Sequence, residues 1–214
     1  MTEIVFIIDK SGSMYELTDD TIGGFNSTID KQRQLAEPTC VSTVLFANES
    51  VVIHDRVPLE EVRDMTRNDY EAGGCTALLD AVGGAIHHIG NIHKYARQED
   101  VPQRTLFVII TDGLENASRR YSREKVKGMI ERQKERYGWE FLFLGANIDV
   151  VAEAGRLGID EHHTAEFIPD RTGALNSYSV VSDAVFACRS GRRISAEWAD
   201  ELRKDVKKRK PGKD

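Results

Sequence analysis

Short apolar runs alternate with segments of helical periodicity along this chain, and no other feature of the sequence limits its fold as strongly. The strand-like runs occur at residues 4–8, 41–46, 51–56, 104–110, 140–144 and 164–168. Apolar residues at helical spacing fill most of the intervals between them. Strands that alternate with helices are typical of α/β proteins with a mostly parallel sheet. We therefore predict one α/β domain with a mostly parallel sheet.

One pair of strands is predicted to break the parallel pattern. The runs 41–46 and 51–56 are rich in β-branched and apolar residues, and only the segment 47–50 separates them. A connection of this length permits a hairpin, whereas a helical crossover between parallel strands needs a dozen residues or more. These two strands are therefore expected to be antiparallel.

Length and composition are those of a soluble globular protein. The chain has 214 residues, of which 40% are hydrophobic and 30% charged, and this size fits a single domain. The first apolar run is too short for a signal peptide and lacks a basic leader, and no uninterrupted apolar stretch reaches about 18 residues. Cys40, Cys75 and Cys188 lack metal-type spacing, so we interpret them as free thiols in a reducing compartment. The predicted location is cytoplasmic.

Charge is unevenly distributed along the chain. The formal net charge is −6, and residues 203–214 contain seven basic and two acidic residues, so residues 1–202 carry −11. A folded body this acidic argues against nucleic acid as the main ligand. The basic tail could contact nucleic acid or an acidic partner, but a charge run at a terminus is more often solvated and mobile.

Three polar segments, far apart in sequence, stand at the ends of predicted strands or the start of a predicted helix. The first holds Asp9, Ser11 and Ser13 after the run 4–8, the second holds Thr76 before a helix, and the third holds Asp112 after the run 104–110. Carboxylate and hydroxyl oxygens are hard donors that suit a small hard cation such as Mg²⁺. The carboxyl ends of parallel strands share one edge of a sheet, where ligands collect in doubly wound folds. The five residues are therefore predicted to form one metal site.

The combination of these segments resembles the metal-ion-dependent adhesion site of von Willebrand factor A domains. The matching motifs are Asp9-x-Ser11-x-Ser13, Thr76 within Gly-Gly-x-Thr-Ala-Leu, and Asp112 within Thr-Asp-Gly. The likeness covers a domain at residues 1–190, followed by a C-terminal extension with a basic tail at 191–214. It implies a Rossmann-like, doubly wound three-layer sandwich with a six-stranded sheet of order 3-2-1-4-5-6, in which strand 3 is antiparallel. It also implies that the five residues hold a metal ion directly or through water.

The charge balance of the predicted site indicates what it could bind. Two carboxylates offset a divalent cation, and the three hydroxyls add no further negative charge, so the ion can still accept a carboxylate from outside. Mg²⁺ usually keeps some of its waters, and one water position suits an incoming oxygen; Mn²⁺ and Ca²⁺ are alternatives. The resemblance implies a protein-interaction module whose partner presents an Asp or Glu side chain, with no role in membrane binding. We predict a binding protein rather than an enzyme.

Three alternatives remain open from the sequence. The five residues could merely cap turns and helices, as Ser, Thr and Asp often do. The chain could be a scaffold or regulatory subunit whose binding does not need metal. It could also be a Mg²⁺-dependent phosphohydrolase with Asp9 as nucleophile, although Ser11 stands where a second Asp would be expected and no phosphate-binding Gly-rich loop with Lys is present.

Residues next to the predicted donors are candidates for the partner-binding face. Met14 and Tyr15 follow the first segment, and Leu114, Glu115 and Asn116 follow the third. If the donors share one edge of the sheet, their sequence neighbours surround the metal. We therefore expect Met14, Tyr15, Glu115 and Asn116 to contact a bound partner.

Overall fold

The computed structural model describes residues 1–210 and contains one sheet with helices on both of its faces. Its strands are β1 (Thr2–Asp9), β2 (Thr39–Phe46), β3 (Ser50–Pro58), β4 (Arg104–Thr111), β5 (Glu140–Gly145) and β6 (Thr164–Glu166). Its α-helices are α1 (Thr18–Gln32), α2 (Leu78–Tyr95), α3 (Arg123–Tyr137), α4 (Val150–Arg156), α5 (Arg171–Arg189) and α6 (Asp200–Arg209). The first five helices fall where apolar residues recur at helical spacing in the sequence.

The sheet has the order β3-β2-β1-β4-β5-β6. β1 lies between β2 and β4 and is parallel to both, and β5 and β6 continue the parallel pattern. β3 pairs with β2 in the antiparallel sense, because the short connection between them can only form a hairpin. The predicted fold class, strand order and antiparallel strand are all confirmed.

Strand β1 divides the core into two layers. Alternate residues of a strand point to opposite faces of the sheet. Ile4 and Phe6 therefore pack with α1, α5 and α6, and Val5 and Ile7 pack with α2, α3 and α4. The strand is apolar on both sides because both faces are covered, as expected for the central strand of a parallel sheet.

Local signals fix the ends of helix α3. The Ser122 side chain accepts a hydrogen bond from the Lys125 amide at 3.3 Å, which satisfies one of the unpaired amides of the first turn. Gly138 adopts a left-handed conformation with φ of 65° at the other end, where glycine avoids the steric cost that a side chain would incur. These two residues therefore set where the helix begins and ends.

The C-terminal extension packs on the domain as far as the structure describes it. Ala199 and Leu202 are fully buried in the same core layer as α1 and α5. Lys210 forms an ion pair of 2.8 Å with Glu166 at the end of β6. The expected solvated tail is thus helical up to Arg209, because one apolar side of α6 finds a partner in the core. Residues 211–214, the last part of the predicted basic tail, lie outside the described residues.

Within residues 1–210, no helix combines the length and the apolar character that a membrane-spanning helix requires.

Candidate metal centre

The two predicted carboxylates follow neighbouring strands at the same edge of the sheet. Asp9 is the last residue of β1, and Asp112 follows β4 directly. The register pairs Ile8 with Ile110, so the two chain segments leave the sheet side by side. Asp9 is fully buried, and Asp112 is 3% exposed. Strand pairing therefore places two buried acidic groups together.

The two serines connect these carboxylates through a continuous set of polar contacts. The Ser11 amide donates to Asp9 Oδ1 at 2.7 Å, and the Ser11 and Ser13 hydroxyl oxygens are 3.2 Å apart. The Ser13 hydroxyl donates to Asp112 Oδ1. A 3₁₀ turn begins at Gly12, which curls the chain back over the end of β1. The first and third segments thus form one polar cluster.

Thr76 reaches the same cluster from the segment before α2. The Gly12 amide donates to the Gly74 carbonyl at 3.0 Å, and Gly74 has a φ of 79° that favours glycine. A methyl group added at Gly113 would lie 3.3 Å from the Thr76 hydroxyl and 3.8 Å from the Ser13 hydroxyl. Both hydroxyls therefore face the backbone of Gly113, and all five predicted donors come together.

Burial leaves the two carboxylates in an unfavourable electrostatic state. Burial raises the pKa of Asp9, although hydrogen bonds from Thr111 and Ser11 oppose the shift and the charge of Asp112 adds to it. Burial also raises the pKa of Asp112, opposed by the hydrogen bond from Ser13. Within residues 1–210, neither carboxylate forms an ion pair with a basic side chain. Two buried acidic groups without a counter-charge favour the binding of a cation.

The donor set fits a hard divalent ion. Within residues 1–210, no three or more His, Cys, Asp or Glu side chains cluster as a metal site. Among the described residues, the carboxylates of Asp9 and Asp112 are available to an ion at this site, and the hydroxyls of Ser11, Ser13 and Thr76 would supply further oxygens. Coordination by oxygen atoms, with some retained water, is the usual mode for Mg²⁺. Thiolate and imidazole ligands, which softer metals prefer, are not part of this donor set.

The predicted partner face is only partly exposed. Tyr15 is 73% exposed, whereas Met14 is 1% exposed and packs in the core, so the expectation that Met14 contacts a partner needs correction. It lies in the 3₁₀ turn after β1, which directs its side chain inward. Leu114, two residues after Asp112, is 54% exposed. Tyr15 and Leu114 therefore supply apolar surface next to the polar cluster.

Glu115 and Asn116 contact the protein itself. The Glu115 carboxylate accepts hydrogen bonds from the amides of Leu79, Ala117 and Ser118 at 2.7–2.9 Å. The Asn116 side-chain oxygen accepts a hydrogen bond from the Thr76 main-chain amide at 2.9 Å. The Asn116 main-chain amide donates to the Thr76 carbonyl at 3.0 Å. Their evident role is to hold the start of α2, and with it Thr76, against the loop after β4.

Three residues that support the donors were absent from the sequence predictions. The Thr111 hydroxyl donates to Asp9 Oδ2 at 2.6 Å, and the Tyr70 hydroxyl donates to the Asp9 carbonyl at 2.5 Å. The Asn48 side chain accepts from the Cys75 amide at 2.6 Å. Thr111 was detectable as part of the Thr-Asp-Gly motif, but Tyr70 and Asn48 act from other segments and carry no local signal.

Comparison with known proteins gives a structural match only. No protein-family model matches the sequence, and no curated protein matches it. Among solved structures, a mutant of the PilB minor pilin from Streptococcus sanguinis is 12% identical with a TM-score of 0.61, over 86% of this chain and 61% of the other. Proximal thread matrix protein 1 from the mussel byssus, with a zinc occupied MIDAS motif, is 14% identical with a TM-score of 0.59, over 87% and 46%.

A third match is named as a von Willebrand factor type A protein. The von Willebrand factor type A protein from Catenulispora acidiphila is 14% identical with a TM-score of 0.55, over 85% of this chain and 42% of the other. The chain therefore spans between 42% and 61% of the length of these three proteins. Identities this low establish the fold alone. The chain has the fold of a von Willebrand factor A domain, as its sequence motifs indicated.

Proposed function

We propose that this chain is a protein-interaction module that depends on a divalent metal and binds an acidic side chain of its partner. The observation that carries the proposal is the pair of buried carboxylates, Asp9 and Asp112, which share one sheet edge with the hydroxyls of Ser11, Ser13 and Thr76. The mussel protein with zinc in its MIDAS motif supports a divalent ion in this fold. Mg²⁺ is the proposed ion, with Mn²⁺ and Ca²⁺ as alternatives.

The charge balance of the site explains why a partner would bind there. The two carboxylates neutralise a divalent cation, and the hydroxyls leave that neutral balance unchanged. A bound Mg²⁺ supplies a positively polarised position where an incoming carboxylate can replace water. The protein around the site is acidic overall, so the metal would provide the local attraction for an acidic residue that the rest of residues 1–202 does not.

The exposed apolar residues define what else the partner presents. Tyr15 and Leu114 are 73% and 54% exposed, and they follow the segments that hold Ser13 and Asp112. An exposed tyrosine ring beside a polar centre is typical of interface anchors, and Leu114 adds aliphatic surface to it. We therefore propose that the partner's Asp or Glu has an apolar neighbour. A reducing, cytoplasmic location is part of the proposal and is supported by free Cys40, Cys75 and Cys188.

The decisive experiment compares capture of a partner with and without metal. Wild-type protein and Asp112→Asn are immobilised and exposed to lysate of the source organism in Mg²⁺ or in EDTA, and bound proteins are identified by mass spectrometry. We expect a protein that is retained by the wild type in Mg²⁺, released by EDTA and absent from the variant. Replacement of single Asp and Glu residues in that protein should then identify one side chain that abolishes binding.

Two results would replace the proposal. Retention of the same partner in EDTA and by Asp112→Asn would favour a scaffold that does not use the metal. Hydrolysis of a phosphate ester such as p-nitrophenyl phosphate, dependent on Mg²⁺ and lost in Asp9→Asn, would favour a phosphohydrolase.

A further inference from the structure

The segment between β3 and α2 carries Thr76 to the site without regular secondary structure over residues 62–77. Its first part is fixed to α1, because the Asn26 side chain accepts from the Met65 amide at 2.8 Å and donates to the Met65 carbonyl at 3.0 Å. A turn follows in which the Asp69 carboxylate accepts from the Thr66 amide and hydroxyl at 2.8–2.9 Å. Tyr70 comes directly after this turn, so its position is well determined.

Tyr70 connects this segment to the first strand. Its side chain is 1% exposed within the core layer that contains α1 and α5, and its hydroxyl donates to the Asp9 carbonyl at 2.5 Å. Asp9 is thereby held from both ends: Tyr70 binds its main chain, and the Ser11 amide and Thr111 hydroxyl bind its carboxylate.

Main-chain bonds continue the connection towards Thr76. The Gly73 amide donates to the Lys10 carbonyl at 2.8 Å, and the Gly12 amide donates to the Gly74 carbonyl at 3.0 Å. With Tyr70, these bonds align residues 70–74 along residues 9–12. A rotation of the Asp9 peptide would move both the Asp9 carboxylate and the segment that ends in Thr76. The Tyr70 hydroxyl therefore contributes one of the hydrogen bonds that join two segments with candidate donors from distant parts of the chain.

We propose that Tyr70 is a positioning residue for the metal site, which sets the affinity for the ion by fixing the Asp9 peptide against the segment that carries Thr76. The inference rests on the proposed metal function. Groups that orient metal ligands through hydrogen bonds typically contribute 10- to 100-fold to metal affinity. Tyr70→Phe keeps the buried ring and removes only the donor, so it tests the hydroxyl alone.

Two control variants separate orientation from general stability. Tyr178→Phe removes a buried tyrosine hydroxyl from the same core layer, and within residues 1–210 no hydrogen bond joins that hydroxyl to Asp9 or to the segment 70–77. Ile130→Val removes one methylene group from a fully buried side chain of α3 in the opposite layer, which destabilises the fold modestly. The loss of one hydrogen bond has a cost of the same order. A loss of affinity through instability alone would appear in Ile130→Val as well.

Mn²⁺ is the probe, because electron paramagnetic resonance measures free Mn²⁺ in a titration and also records the spectrum of the bound ion. We expect the Kd for Mn²⁺ to rise at least tenfold in Tyr70→Phe with an altered bound-ion spectrum, and to stay within twofold of the wild type in both controls. A Kd and spectrum in Tyr70→Phe equal to those of the wild type would overturn the role of Tyr70 and leave the proposed function intact. Failure of the wild type to bind Mn²⁺ would overturn both.

Discussion

Replacement of Asp112 with Asn should separate the stability of the metal-free protein from its capacity to bind metal. Burial raises the folded-state pKa of Asp112 above its ordinary value of 3.8. The stability gained by protonation is therefore fully present below pH 3.8 and is lost as the pH rises through the folded-state pKa. At pH 7.5 the wild type carries the cost of ionising this buried group. Asn keeps an oxygen that can accept the Ser13 hydrogen bond without that cost, so the metal-free variant should be at least as stable as the wild type.

Addition of Mg²⁺ should reverse this order. An ion that binds only the folded state at 100 times its Kd stabilises it by about 2.7 kcal/mol. For a chain of 150–250 residues, about 1 kcal/mol corresponds to about 2–4 °C in Tm. A stabilisation of about 2.7 kcal/mol should therefore raise the Tm of the wild type by about 5–11 °C. Asp112→Asn leaves Asp9 as the only carboxylate at the site, and we expect its gain at the same Mg²⁺ concentration to fall below about 2 °C.

Differential scanning calorimetry in EDTA and in Mg²⁺ at pH 7.5 measures both effects. Asp183→Asn is the matched control, because it makes the same change of charge at an exposed position of α5, and it should show the full wild-type gain. An equal gain in all three proteins would show that Mg²⁺ does not act through Asp112. A metal-free Asp112→Asn that melts well below the wild type would refute the argument about buried charge.

Two further predictions concern buried groups away from the metal. Burial, aided by the positive charge of Arg63, lowers the pKa of His54 from 6.5. The neutral side chain therefore favours folding above pH 6.5, and this contribution to stability is lost as the pH falls through the folded-state pKa. Between pH 7.5 and 5.5, the free energy of unfolding measured in urea should fall less in His54→Gln than in the wild type, and an equal fall would contradict this. Arg189 is 1% exposed and donates to the carbonyls of Gln32, Leu35 and Glu37. Arg189→Met should therefore cost about 3 kcal/mol of stability and lower Tm by about 6–12 °C, while the increase in Tm on addition of Mg²⁺ stays as in the wild type. A smaller increase with Mg²⁺ would contradict the separation of these Arg189 contacts from the metal site.

The supporting residues were harder to predict than the donors, and Tyr70 illustrates why. Asp9, Ser11 and Ser13 occur within five residues, and their positions after an apolar run are a local signal. Tyr70 lies in a segment without periodicity, and only the folded chain places its hydroxyl on the Asp9 carbonyl. The candidate donors could therefore be predicted from short motifs, whereas the contacts that orient them could not.

The partner face and the C-terminus show the same limit. Met14 and Tyr15 are adjacent in sequence, but the 3₁₀ turn buries Met14 and exposes Tyr15. Glu115 has the charge of a surface residue, yet its carboxylate holds the first turn of α2. Leu202 stands among charged residues, and its burial in the core follows from its packing against other segments of the chain. Sequence position alone does not tell which side of a loop or short helix meets the protein.

Properties of neighbouring residues were sufficient to predict the alternation of strands and helices, the antiparallel hairpin and the five candidate oxygen donors, because periodicity, a short connection and compact motifs are local. The burial of Asp9 and Asp112 side by side, without a basic partner among residues 1–210, became apparent only in the folded chain. The same holds for the contacts by which Tyr70, Thr111 and Asn116 hold the segments of the candidate donors in place. Burial and hydrogen-bond partnership depend on residues brought together from distant parts of the chain, and those contacts exist only once the sheet has formed.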